Sequence, residues 1–239
     1  MIYNKYNNIF KVNLVLKGIS KFIKLGLIAS TVSIVAGCNG TIHLTSASDA
    51  KGYEPVFSGF PLPLFFVASS VQWNEDYAVS AKHTPLLRNV AYSCSTGCDL
   101  VFIKRKANNN IPEWRHSVPN EKLTAYGTSP LYIPAKTEGT AMVTKLQKDV
   151  ESDNKKSIEL YKLNNIASIM GMSGGPIYGE DGKVVGITLG FVIKTLMSDE
   201  KLTKTPELIK PSTISYMMQT EIIEREWKLF QEQEKNKNI

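Results

Sequence analysis

The sequence is poor in the residues that build metal centres: it has three cysteines and three histidines in 239 positions, and no two histidines stand at ligand spacing. Nothing completes a zinc set around Cys94 and Cys98, so neither a metal nor a cofactor is expected. Internal repeats are missing too, which argues against a solenoid or propeller. Apolar runs are short. The run from Leu25 to Gly37 covers thirteen residues, against the 20 or so needed to cross a bilayer. The formal charge of +6 suggests a basic protein, but Lys5, Lys11, Lys17, Lys21 and Lys24 all lie among the first 37 residues, where there is no acid. The other 202 residues carry 23 basic and 22 acidic side chains, a balance that offers no basic surface for nucleic acid. What remains, with 43% hydrophobic and 21% charged residues over the whole chain, suits one globular domain and excludes disorder.

The first 37 residues combine a basic start with a short apolar core, the pattern of a secretion leader. The leader ends in Ile34-Val35-Ala36-Gly37-Cys38, which resembles the lipobox of bacterial lipoproteins. That resemblance implies an acylated Cys38 as the mature N-terminus, and so a membrane-anchored protein of the bacterial envelope facing the periplasm or the cell exterior. Residues 38–52, rich in Ser, Thr, Gly and Asn, read as a flexible tether; residues 53–230 as the folded domain; and residues 231–239 as a polar tail that frays. In an oxidising compartment Cys94 and Cys98, in YSCSTGCD, read as a disulfide, the alternatives being two free thiols or half of a metal site.

From Tyr53 onward the apolar runs are short, rich in β-branched and aromatic residues, and separated by turn formers: LPLFFVASSV, YAVSA, LVFIK, KVVGITLGFVI. This is an all-β pattern. A helical period is expected only from Ser212, as a cap for TISYMMQTEIIEREWKLF, with Ile214, Met218, Ile222 and Leu229 on one face.

The densest chemical signal is GMSGGPIYGEDGKVVGI, Gly171 to Ile187. A nucleophilic serine needs a sharply turned backbone whose amides face a developing oxyanion, and glycines permit that turn. Gly171-Met172-Ser173-Gly174-Gly175 also matches the nucleophile elbow of α/β-hydrolases, but their histidine follows the serine, whereas His43, His83 and His116 all precede Ser173. The order His, Asp, Ser is that of chymotrypsin-type proteases. Ser80-Ala81-Lys82-His83 ends an apolar strand and resembles that family's TAAH box, and Asp99-Leu100-Val101-Phe102-Ile103-Lys104 resembles its DLALIK strand. From Pro55 to Thr220 the chain is similar to the chymotrypsin-like (trypsin-like) serine proteases.

The resemblance implies a two-barrel fold and a serine endopeptidase acting on protein or peptide substrates. His83 would be the base, Asp99 its orienting partner and Ser173 the nucleophile, with the amides of Gly171 and Ser173 forming the oxyanion hole. Only sixteen residues separate His83 from Asp99, so the first barrel should be abbreviated, with strands at 86–93 and 100–104 forming a hairpin whose loop the cysteines brace. Met172 stands where zymogen-type members use an aspartate, so activation by an inserted N-terminus is not expected. Six residues before Ser173 lies Ala167, which together with Thr188, Leu189 and Gly190 would wall the substrate pocket without any acid, favouring a small or apolar residue before the scissile bond. The alternative function is a catalytically inactive protease-fold lipoprotein that serves as a binding or adaptor module. His43 and His116 lack a surrounding motif and read as structural or solvated.

Overall fold

A computed structural model describes residues 41–59, 65–108, 110–152, 155–191 and 214–237. The leader, Cys38 and Ser212 lie outside the described residues. Two antiparallel sheets make up the domain. The first has five strands: β2 (Tyr53–Ser58), β3 (Phe66–Gln72), β4 (Tyr77–Ser80), β5 (Val90–Ser93) and β6 (Val101–Lys104), in the order β2-β3-β4-β6-β5. The second contains β1 (Ile42–Leu44), β7 (Lys122–Thr128), β8 (Pro134–Ser152), β9 (Lys155–Asn164), β10 (Pro176–Tyr178), β11 (Val184–Phe191) and β12 (Ser215–Gln219), in the order β1-β8-β7-β10-β11-β12-β9. Because β8 also pairs with β9, six of these strands close into a barrel and β1 adds to its side. The first sheet stays open among the described residues, as an abbreviated barrel would. The architecture is all-β as expected, with one closed barrel and, among the described residues, a shorter open sheet in place of a second.

Strand chemistry explains the pairings. The β2–β3 ladder runs without a break from Tyr53↔Val71 to Ser58↔Phe66. The β10–β11 hairpin turns at Asp181-Gly182, where Gly182 takes a positive φ of 74° that favours glycine. Val71, Val79, Leu100 and Phe102 from the first sheet and Leu146, Leu163, Val184 and Ile187 from the second belong to one continuous buried cluster.

Four sequence expectations are corrected, three of them before the C-terminal helix. The stretch expected to be a loose tether begins to fold at Ile42, where β1 pairs with β8 from Ile42↔Thr137 to Leu44↔Ala135. A capped 3₁₀ turn follows at Ala47–Asp49, its Ser46 and Asp49 forming a reciprocal capping box. The strand expected at 86–93 starts only at Val90, because Leu86 and Asn89 adopt φ of 54° and 56° and turn the chain. Residues 215–219, expected to be helical, are strand β12, held between β11 and β9. Their side chains fit both periods, and ladder bonds on both edges settle the matter.

The C-terminal helix α1 is Thr220–Lys237, so the expected frayed tail at 231–239 is helical through Lys237. Its buried face is Ile222, Ile223, Glu226 and Phe230, at the spacing of an amphipathic helix. It emerges from the barrel and covers the first sheet. The Phe230 ring lies 5.2 Å from Tyr92 and 6.0 Å from Phe102, and the Trp227 ring 5.1 Å from Phe102.

Candidate active site

β4 ends at Ser80, and three residues later the chain presents the half-exposed ring of His83. Just before β6, Asp99 turns its carboxylate toward that ring: Oδ2 lies 2.5 Å from His83 Nδ1, and Oδ1 accepts the His83 backbone N–H at 2.8 Å. Two contacts from one carboxylate fix both the backbone and the ring of the histidine. The Asp99 segment is braced from two sides. Cys94 and Cys98 are at bonding distance, 2.14 Å between sulfurs, and the Cys94 N–H donates to Leu100 O at 2.9 Å. From the barrel, Tyr161 hydrogen-bonds with the Asp99 backbone; burial pushes its phenol pKa far up, so the hydroxyl keeps its proton.

The loop bearing Ser173 connects β9 to β10. Gly171 has φ of 93°, and Met172 N–H donates to Ile169 O at 3.1 Å, a pairing that fits a type II turn with glycine at its third position. A side chain at Gly171 would also strike the Thr128 carbonyl, so glycine is required there twice over. Gly174, at φ 82°, is pressed against the backbone of Ser69 in the same way. Among the described residues, neither the Gly171 nor the Ser173 amide donates to a protein group. Met172 is fully buried and apolar, with no charge awaiting a partner.

Ser69, on β3, is a site residue that the motifs do not reveal. Its N–H donates to Ser173 O at 2.9 Å and its hydroxyl to Gly171 O at 2.7 Å, while its Oγ accepts the Thr128 N–H at 2.8 Å. One fully buried serine thus clamps the carbonyls on both sides of the turn. The sequence signal was a pair of small polar residues inside the apolar strand FVASSVQ.

Ser173 and His83 face the same cavity, of about 280 Å³. In this state the Ser173 hydroxyl donates to Leu189 O at 3.3 Å. The residues expected to wall a pocket for the side chain before the scissile bond lie outside this cavity. Ala167, Thr188 and Leu189 are buried and Gly190 is partly buried, and none of them lines this cavity. The walls of this cavity come from Phe66, Val67, Pro85, Pro130, Tyr132 and Met170, which are contributed by segments far apart in sequence.

His116 is not solvated alone. Its Nε2 lies 3.0 Å from Glu224 and its Nδ1 3.8 Å from Glu221, both on α1. The Glu224 hydrogen bond, helped by the charges of Glu221 and Glu224, raises the His116 pKa against some desolvation and the charge of Lys162. No described cluster outside the cysteine pair and Glu226 groups three potential metal ligands, and Glu226 is already taken by Tyr92 Oη at 2.8 Å and Thr96 Oγ1 at 2.9 Å.

No protein-family model matches the sequence, and no curated protein matches it. Solved structures do match. The Rv3671c protease of M. tuberculosis in its active form is similar with a TM-score of 0.56 at 11% identity, over 81% of this chain and 82% of that one. The serine endoprotease of Yersinia pestis gives 0.55 at 16% identity, over 78% and 66%. The MamO protease domain of Magnetospirillum magneticum gives 0.50 at 13% identity, over 72% and 93%. At these identities the likeness establishes the fold, which is that of the chymotrypsin-like serine proteases.

Proposed function

We propose that this protein is a serine endopeptidase of the bacterial cell envelope, working through His83, Asp99 and Ser173 and an acyl-enzyme intermediate. The observation that carries the reading is the doubly bonded His83–Asp99 pair sharing a cleft with a serine beside two unpartnered amides. Rotation about the Ser173 side chain exchanges the Leu189 carbonyl for His83 Nε2 as hydroxyl acceptor. His83 then takes the proton as Ser173 Oγ bonds to the substrate carbonyl carbon, and the resulting oxyanion accepts from the Gly171 and Ser173 amides. His83 returns the proton to the leaving amine as the C–N bond breaks. Water repeats the sequence on the acyl-enzyme and frees Ser173. Asp99 keeps Nδ1 protonated and stabilises the imidazolium throughout. Buried, apolar Met172 fits a site that forms without an inserted ammonium.

The test is fluorophosphonate labelling of the purified protein. Ser173→Ala and His83→Ala should each abolish labelling and lower peptide turnover by several orders of magnitude, with the double variant little worse, because the members act as a unit. Asp99→Asn should retain the fold and lose up to about 10⁴-fold through the wrong tautomer. A second reading, a non-catalytic binding module, draws on the Ser173 hydroxyl facing Leu189 O; it predicts a folded protein that never labels and three variants that bind a partner as well as wild type. Membrane attachment through acylated Cys38 belongs to the same proposal and rests on the leader alone. Palmitate should label wild type and not Cys38→Ser, and equal labelling of the two would refute it.

A further inference from the structure

The cavity beside Ser173 has walls that the catalytic reading does not use. Phe66 is 42% exposed, Tyr132 47% and Met170 78%, three large apolar side chains around one opening. Such clustering marks a binding surface. Among the described residues the lining contains no Asp, Glu, Lys or Arg; its polar side chains are those of His83, Thr84 and Ser173 and the hydroxyl of Tyr132. Tyr132 has φ of 63°, an outlier for a bulky residue, and is held there by its N–H on Ser129 O at 2.9 Å and by the Ser129 N–H on Ile133 O at 2.8 Å. Its ring rests 5.7 Å from that of Phe57. Backbone strain is thus spent on keeping an aromatic at the rim. At about 280 Å³ the space sits at the small end of ligand pockets and suits one large side chain.

The side of the cleft follows from proton transfer. A leaving amine must lie within reach of His83, so the chain beyond the scissile bond departs on the histidine's side. The cavity is walled by His83 itself and by Thr84 and Pro85, which follow it, and by none of Ala167, Thr188, Leu189 or Gly190. We propose that this cavity selects a large apolar, uncharged side chain on the residue directly after the scissile bond, an assignment of position that rests on the catalytic reading above.

Two measurements on the full-length protein separate the two claims. In the first, an acyl-enzyme formed from an activated ester is offered amino-acid amides as acceptors, which read the leaving-group side alone. Leucinamide should capture the acyl group about 10- to 100-fold more efficiently than glycinamide, from burial of one side chain, and aspartic acid amide should do worse than glycinamide. Met170→Glu should raise capture by lysinamide and lower capture by leucinamide. In the second, a peptide bearing a photoreactive leucine is crosslinked to Ser173→Ala protein, which requires no catalysis. Adducts on Phe66, Tyr132 or Met170 support the pocket. Equal capture of all amides by a protein that labels with fluorophosphonate overturns the pocket and leaves the protease reading standing. Adducts at the expected sites on a protein whose wild type never labels keep the pocket as a peptide-binding site and overturn the protease reading. Adducts confined to Thr188–Gly190 overturn the pocket.

Discussion

Ser69 shows how much of a nucleophile's geometry is set by residues that never touch substrate. Its hydroxyl both donates to Gly171 O and accepts from Thr128 N, so Ser69→Ala leaves a buried acceptor and a buried donor unmet. That should cost about 1–3 kcal/mol of stability, read by denaturant unfolding. Fluorophosphonate labelling of Ser173, expected from the proposed function, should slow as well, since the turn bearing the Gly171 and Ser173 amides loses its clamp. His83 and Asp99 stood out in the sequence because each flanks a short apolar strand inside a local motif, and Ser173 because glycines surround it. Ser69 was not, because a buried serine is recognised only by what the fold brings to it from the β7 end and from the Gly171 turn. The cavity was equally hidden, because it is assembled from Phe66, Tyr132 and Met170, whose proximity no spacing encodes.

Among the elements, β12 and α1 show why the helix start was misjudged. SYMMQ is compatible with either period, and the choice is made by β11 and β9, which lie on either side of it in space and not in sequence. The helix then carries an electrostatic contact with a definite pH signature. His116 is held between Glu221 and Glu224, and its pKa is raised in the folded state relative to the roughly 6.5 of an unfolded chain. The stabilisation is therefore complete below about pH 6.5 and is lost as pH rises through the higher folded value. The ring is mostly exposed, so the effect should be modest. The Tm difference between wild type and His116→Gln should be positive at pH 5.5 and shrink toward zero by pH 9. A constant difference would mean that His116 acts by packing and not by charge.

On the scale of the whole molecule, the first sheet is covered by a helix that follows the barrel along the chain. Tyr92 and Glu226, bonded at 2.8 Å, are 134 residues apart, and without α1 the rings of Tyr77, Tyr92 and Phe102 lose their cover. A chain ended after Gln219 should show no cooperative unfolding of the His83–Asp99 half, measured by hydrogen exchange at β4 and β6. Contacts of such long range also slow folding. The consequence concerns timing. Synthesis delivers His83, Asp99 and Ser173 before the helix that covers the sheet carrying the first two, so a nascent chain ending at Gln219 carries every proposed reactive group without that cover. A chain stalled at Gln219 is expected to leave a fluorophosphonate untouched, whereas delivery of the eighteen residues of α1 should switch labelling on. Under the proposed reading, activity is withheld during synthesis until α1 has been made.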